Sequence, residues 1–415
     1  MWVRERELAQ KLLPAVLRTD RHSPATDPHR MKEILERFAC ARIPGHVAIE
    51  DLLARTPVNL EHDRISEQLR GQTILVTGAA GSVGAEICRQ IAGFRPAAII
   101  GYDIAESPLF HLGLEIARDF PSCVFHPQIG SIRNPTRLKE VFERHRPSLV
   151  YHAAAYKHVP LMESHIFEAV ENNVFGTMNV VEAARRHGVA GFVMISSDKA
   201  VRPASVMGAT KRLAELLVRS RRPDAGRYVS VRFGNLLGSN GSVVPIFQEQ
   251  IARGGPVTVT HPEMRRYFMT IPEACRLVLQ ASTMGKGSEI FVLNMGEPIK
   301  IADLARNLIR LSGLRPDHDI QIIFTGPRPG EKLFEELYDE AEGLLPTHHE
   351  KIQVVAGEDM PTSEIERCLS GLRICCRERN VDGVISILRQ AIPEYSPSAG
   401  IIDGLRMSSV APVAA

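Results

Sequence analysis

The sequence holds no C-x-x-C pair among its seven cysteines, Cys40, Cys88, Cys123, Cys275, Cys368, Cys375 and Cys376. An odd, scattered set excludes a disulfide framework or a zinc ribbon and reads as reduced thiols of a cytoplasmic protein, so no metal site is expected. Nor does any apolar run approach the ~20 residues needed to span a bilayer. The first segment, MWVRERELAQKLLPAVLR, is charged throughout and lacks the apolar stretch of a secretory signal. Charge of one sign is lacking too: 50 Lys and Arg stand against 48 acidic residues. That balance argues against bulk nucleic-acid binding and leaves room only for a local basic pocket. No internal repeat is apparent. What remains is a chain of 415 residues, 44% hydrophobic and 24% charged, the composition of a soluble globular protein with core enough for two or three domains.

Residues 1–70 are helix-prone and polar, as in MKEILERFACARI, and carry no evident chemistry. From Thr73 the pattern changes. Short runs rich in Val and Ile (ILVTG, AAIIGYD, SLVYHAAA, GFVMISS, YVSVRFG) alternate with amphipathic segments such as VGAEICRQIAGF, PTRLKEVFERHR and the long LMESHIFEAVENNVFGTMNVVEAARRHG. That alternation predicts βαβ units in a doubly wound parallel α/β sheet of Rossmann type, placed over 71–235. Beyond Leu236 the alternation breaks into shorter, Gly- and Pro-punctuated pieces, expected to form mainly a smaller substrate-binding lobe over 236–395. Residues 396–415, small and polar, read as a disordered tail.

The stretch TGAAGSVG (Thr77, Gly78, Gly81, Ser82, Val83, Gly84) follows a strand and opens a helix. Its glycines allow a tight turn, close backbone approach to a pyrophosphate and close helix–strand packing, with helix amides aimed at the phosphates. Asp103, 19 residues past Gly84, ends the next strand, where a carboxylate accepts hydrogen bonds from a ribose. No Arg or Lys adjoins it in GYDIAES, so NAD is expected ahead of NADP. Ala153, Ala154 and Ala155 end a later strand in small side chains that let a cofactor cross the sheet edge.

SSDKAVRPASVMGATK then joins the strand GFVMISS to a helix. Met207 and Lys211, four apart, share a face of that helix. Lys211 is placed to bind the cofactor ribose and to set a positive field. Asp198 and Lys199 sit side by side at the rim of the presumed site, where shifted pKa values allow a neutral acid to protonate a leaving hydroxyl and a neutral amine to take a carbon-bound proton.

These residues, with HAAAYKHVPLME, VRFGNLLGSNGSVVPIF, EMRRYFMTIPEA and PRPGEKLFEEL, resemble the extended short-chain dehydrogenase/reductases. Within them the chain is most similar to the UDP-N-acetylglucosamine 4,6-dehydratases of capsular polysaccharide biosynthesis, over about Ile49 to Leu337. The resemblance implies oxidation at sugar C4, loss of the C5 proton and the C6 hydroxyl, and return of hydride to C6, with tightly bound, recycled NAD. It assigns Asp198 as the acid at C6, Lys199 as the base at C5, Ser197 as the hydroxyl near the C4 oxygen, and Lys211 and Asn173 to the cofactor side of the active site. Met207 stands where the wider superfamily has its catalytic tyrosine, which leaves the C4 base open among Lys199, Lys211 and the Tyr156–Lys157–His158 cluster. For the UDP-sugar, Arg266 and Arg328 are expected at the diphosphate, Asn235 at sugar or phosphate, and Glu331 orienting Arg328 or a ribose; Lys157 and His158 line the same side. The resemblance also implies a homo-oligomer, dimer or higher, and that the upstream membrane domain of longer members is missing here. A UDP-sugar 4-epimerase or C4 oxidoreductase is the alternative, needing only the first hydride transfer; a cofactor-binding protein without turnover is the third reading.

Overall fold

The five apolar runs form strands because Val, Ile and aromatic residues alternate between two buried faces. In the computed structural model, which describes residues 61–221, 226–356 and 360–401, they are β1 (Thr73–Thr77), β2 (Ala98–Asp103), β4 (Leu149–His152), β5 (Gly191–Ile195) and β6 (Arg227–Arg232). A strand the pattern did not announce, β3 (Phe125–Ile129), lies at the sheet edge; it contains Pro127 and is only half-buried, as an edge allows. Beyond β6 lie β11 (Ile290–Leu293), β15 (Ile352–Val355) and β14 (Leu344–Pro346), giving the order β14-β15-β11-β6-β5-β4-β1-β2-β3. The seven strands from β3 to β11 are parallel, and β15 and β14 add on antiparallel. This is the doubly wound sheet expected.

Alternate residues of each strand feed opposite cores. Ile74, Val76 and Val193 pack with helices α1 (His62–Leu69), α2 (Ser82–Ala92), α3 (Glu106–Asp119) and α10 (Ile271–Met284). Leu75, Val150 and Phe192 pack with α4 (Pro135–His145), α5 (Val159–Ser164), α6 (Ile166–Ala169), α7 (Thr177–Arg186), α8 (Val206–Ser220), α12 (Thr362–Glu378) and α13 (Val381–Ala391). Each fully buried aliphatic side chain contributes roughly 1.5–3 kcal/mol.

Three expectations about the chain's organisation change. The stretch 236–395 is divided: β7 (Asn235–Leu237), β8 (Val257–Val259), β9 (Arg265–Arg266), β10 (Phe268–Thr270), β12 (Ile299–Lys300), β13 (Ile322–Phe324), α9 (Val243–Ala252) and α11 (Ile301–Leu311) build small two-stranded sheets and a separate core. The rest returns to the main sheet, because β11, β14 and β15 carry apolar residues that its far edge buries. The long helix read from LMESHIFEAVENNVFG is instead α5, α6 and a π-helical turn over Val170–Gly176 running into α7. Residues 396–401 are held rather than loose: Ser396 N–H donates to Pro203 O, Ser398 Oγ donates to Glu163, and Ile401 is buried. The remainder of the expected tail, and residues 1–60 of the expected lead-in, lie outside the described residues. Among the described residues no helix is long and apolar enough to cross a membrane.

Candidate active site

The glycine-rich turn leaves β1 and enters α2 with Gly78 at φ +67°. A Cβ on Gly78 would stand 2.6 Å from Ala154 N, and one on Gly84 2.1 Å from Gly78 O. Both positions therefore require glycine, and the backbone is packed tightly enough for helix amides to face a phosphate directly. Asp103 ends β2 beside this turn, and its two oxygens accept from Ala80 N (2.9 Å) and Ala105 N (2.9 Å).

Above the sheet's carboxyl edge a cavity of about 810 Å³ opens between the two cores. Its walls include Gly78, Gly81, Ser82, Val83, Gly84, Ala153 and Ala155 on one side, Ser197, Lys199, Met207 and Lys211 at the floor, and Lys157, His158, Asn235, Arg266, Arg328 and Glu331 on the other. Sequence-distant residues thus converge. Asn240 N–H in the SNGS loop donates to Ser82 Oγ (3.1 Å), tying the lobe to the first turn of α2.

Lys211 is buried one turn after Met207, and its ammonium donates to Ile195 O at 2.6 Å. Burial pushes its pKa down to about 8, against the opposing pull of Glu215 one turn further on. Glu215 and Arg232 are both fully enclosed: Glu215 accepts from Ser196 Oγ (2.5 Å) and from Arg232 Nε (2.8 Å) and Nη2 (2.7 Å). Burial alone would raise Glu215, but the guanidinium outweighs it and holds the carboxyl at about 2. Arg232→Met is expected to cost about 3–5 kcal/mol in chemical denaturation, because it takes from Glu215 and Glu342 the cation they share and leaves them Arg212 alone; Arg232→Met with Glu215→Leu is expected to recover part of that loss.

Asp198 and Lys199 form a single turn of 3-10 helix after β5 (Asp198–Ala200). Asp198 is 0% exposed and does not line the cavity, contrary to its expected place at the rim. Its Oδ1 accepts from Lys199 Nζ (2.9 Å) and Ser197 Oγ (2.9 Å), while Oδ2 is buried with no hydrogen-bond partner. Gly234, on the cavity wall, packs directly over Oδ2: a Cβ there would lie 3.3 Å from it. Lys199 Nζ also donates to Asn235 Oδ1 at 3.0 Å, which joins Asp198 and Asn235 through one ammonium.

Asn173 and Thr77 stand off the cavity wall, whereas Arg266, Arg328, Lys157 and His158 line it. Asn173 is buried in the π-helical turn and away from the cavity wall; its amide spans Tyr156, accepting from N (2.8 Å) and donating to O (3.0 Å), so it shapes the loop rather than facing a cofactor. Thr77 is likewise buried beneath the turn, with Oγ1 2.7 Å from His152 Nδ1. His152 Nε2 faces Thr177 Oγ1 (2.9 Å), whose own hydrogen goes to Asn173 O (2.7 Å), so Nε2 carries the proton and Thr77 donates to Nδ1. Burial, then Lys211, lowers His152 to about 3 and keeps it neutral. Arg328 is an exposed rim residue paired with Glu331 at 2.6 Å. Arg266 is buried, donating to the carbonyls of Arg265 (2.7 Å) and Leu333 (3.2 Å). Lys157 and His158 are both lowered, by burial first and then by Lys199 and Lys157 respectively.

A group that the sequence reading passed over is Glu335. Only 8% exposed, it lines the cavity 3.7 Å from Arg266 Nη2. FEEL reads as a helix fragment with two solvated glutamates, but the chain there is an irregular loop. It turns Glu335 inward and Glu336 outward onto Arg202 and Lys332.

A family model described as polysaccharide biosynthesis protein matches residues 74–357. The chain belongs to that family. It is 54% identical over 309 residues to the capsular polysaccharide biosynthesis protein CapD of Staphylococcus aureus, covering 74% of this chain and 51% of that protein. It is 36% identical over 274 residues to a UDP-glucose 4-epimerase of Rickettsia canadensis (64% and 77%). The chain thus spans about half the length of CapD. Among solved structures, Pen from Bacillus thuringiensis superposes with a TM-score of 0.64 at 32% identity (70% and 92%). The dTDP-glucose 4,6-dehydratase DesIV of Streptomyces venezuelae, solved with NAD, shares the fold at a TM-score of 0.57 and 20% identity (74% and 98%). The family member described here therefore has the extended short-chain dehydrogenase/reductase architecture of nucleotide-sugar dehydratases and epimerases.

Proposed function

We propose that the protein is an NAD-dependent UDP-N-acetylglucosamine 4,6-dehydratase. The observation that carries this reading is the Asp198–Lys199 pair: an ammonium on the cavity wall with a carboxyl behind it whose Oδ2 has no partner. A buried carboxyl oxygen without a donor is costly, and it is the one position on this carboxyl that no protein group occupies. Asp198 is thereby placed as the acid beside the base that elimination needs.

The residues fit a dinucleotide. Gly78 and Gly84 leave no room for side chains where backbone must approach phosphates, and the first turn of α2 offers its amides. Asp103 would hold a ribose and repel a 2′-phosphate. Asp103→Ala is expected to weaken NAD binding about tenfold, the worth of one or two hydrogen bonds, and to narrow the preference over NADP; titration calorimetry with both cofactors checks it. A bound nicotinamide supplies the hydride acceptor and donor. Lys211 holds the ribose and keeps a positive charge at the floor. With its pKa near 8, that charge is complete below pH 7 and lost above pH 9, so dinucleotide affinity is expected to fall as pH rises through 8. Lys211→Met should flatten that dependence.

On the substrate side, Arg266 and Arg328 would take the diphosphate and Asn235 a sugar hydroxyl or phosphate oxygen. Oxidation at C4 makes the C5 proton acidic. Lys199 serves as the base for that proton, and Asp198 protonates the departing C6 oxygen past Gly234. Met207 has no exchangeable proton; the C4 hydroxyl proton goes to the unprotonated fraction of Lys211, a buried, cavity-lining amine with a pKa of about 8. We further propose that the protein is a cytoplasmic homo-oligomer that retains its cofactor, consistent with the Asn240–Ser82 tie across the glycine-rich turn. Incubation with UDP-N-acetylglucosamine and NAD should give a product lighter by one water. A product isomeric with the substrate would mark a 4-epimerase instead, the activity for which the Rickettsia relative is named.

A further inference from the structure

Of the two carboxylates on the cavity wall, Glu331 is committed to Arg328 by three contacts of 2.6–3.1 Å. Glu335 is not so committed: it is nearly buried, and Arg266 Nη2 at 3.7 Å is too far for a hydrogen bond. The groups that face it are Arg266 on β9, Asp198 and Lys199 on the turn after β5, and Lys332 on its own loop. Lys332 is itself engaged with Val201 O and Glu336. A Cβ on Gly234 would meet both Tyr267 Cβ (3.0 Å) and Asp198 Oδ2 (3.3 Å), so Asp198 Oδ2 lies close to Tyr267, the residue next to Arg266. An enclosed acid that gives up a proton in every cycle must regain one, and Asp198 has no exposure of its own.

We propose that Glu335 is the proton-relay residue that recharges Asp198. The proposal rests on the dehydratase reading above. In the elimination the C5–H bond breaks toward Lys199 Nζ, the C6–O bond breaks, and the oxygen leaves as water with the Asp198 Oδ2 proton. The carboxylate left on Asp198 is restored when Glu335 passes a carboxyl proton to it through that water. Glu335 then takes a proton from solvent at the cavity mouth. No electrons move in the relay. Burial raises the Glu335 carboxyl above its ordinary range, the direction a proton store requires. Occupation of Arg266 by a diphosphate would strengthen it.

Glu335→Gln keeps shape and hydrogen-bonding capacity but has no acidic proton to pass. Rapid-quench kinetics of the full chain with NAD and UDP-N-acetylglucosamine should show a first turnover close to wild type. Later turnovers should slow roughly tenfold or more, within the range for a positioned acid, leaving a burst of one product per site. Glu335→Asp should recover part of the steady-state rate. Unchanged steady-state turnover in Glu335→Gln would overturn the relay, as would a first turnover slowed as much as the later ones, which marks a packing or binding role. If wild type itself releases no water, the dehydratase reading is what has failed.

Discussion

Lys199→Met is expected to lower turnover roughly a hundred- to ten-thousand-fold, the span typical of a lost general base. The same substitution should abolish exchange of the C5 proton with solvent. The ammonium of Lys199 joins Asp198 Oδ1 and Asn235 Oδ1 at 2.9 and 3.0 Å on the cavity wall, so its removal takes away the base and leaves Asp198 held only by Ser197. Methionine keeps most of the side-chain volume, and Lys199 is partly exposed at 19%, so the fold should survive, with a loss of stability because the buried Asp198 loses its cation. Dinucleotide binding should also survive, because the glycine-rich turn lies at another wall of the cavity. Quenched-flow turnover, deuterium exchange at C5 and calorimetric NAD binding, measured on one preparation, separate lost chemistry from lost binding. Full activity in Lys199→Met would remove Lys199 from the mechanism.

Gly84→Ala is the second large effect, and it strikes the opposite wall. The new methyl would lie 2.1 Å from Gly78 O and 2.9 Å from Ala79 Cα, both backbone atoms that no rotamer change can move aside. Either α2 shifts away from β1 or the turn opens. Overpacking of this kind costs about 1–3 kcal/mol of stability, but displaced amides should cost more in function, with NAD affinity lowered by roughly a hundredfold or more at about 1.4 kcal/mol per decade. Thermal denaturation without cofactor and calorimetric titration with NAD give the two numbers separately. Gly71→Ala is the control: that glycine, unlike Gly84, has positive φ, and nothing lies within 4 Å of its added methyl. It should lose only the cost of its backbone conformation and keep cofactor binding.

The parts of this fold that were legible in the sequence are those where one short-range rule decides. Val- and Ile-rich runs spaced by amphipathic helices gave β1, β2, β4, β5 and β6, and TGAAGSVG followed by Asp103 located the dinucleotide turn. Strand β3 was hidden because FHPQI, half-exposed at an edge, needs neither alternation nor freedom from proline. The return of β11, β15 and β14 to the main sheet was hidden because long-range pairing leaves no local mark. In the site, residue types were readable but their exposure was not. Asp198 and Lys199 are adjacent in sequence, yet one is sealed beneath the other by the single turn of helix they form. Asn173 looked like a cofactor contact, but its amide is used up on the Tyr156 backbone. Glu335 and Glu336 are indistinguishable in FEEL until the loop turns one inward. The Glu215–Arg232 pair under Ser196 joins residues 17 apart on a helix and a strand, a separation no motif announces.

The measurement closest to the central claim follows one hydrogen. UDP-N-acetylglucosamine carrying deuterium at C4, incubated with the protein and NAD and read by NMR, should give a 4-keto product in which that deuterium has moved to the C6 methyl and C5 carries a solvent proton. A product that retains its C6 hydroxyl, with the deuterium still at C4, would contradict the account.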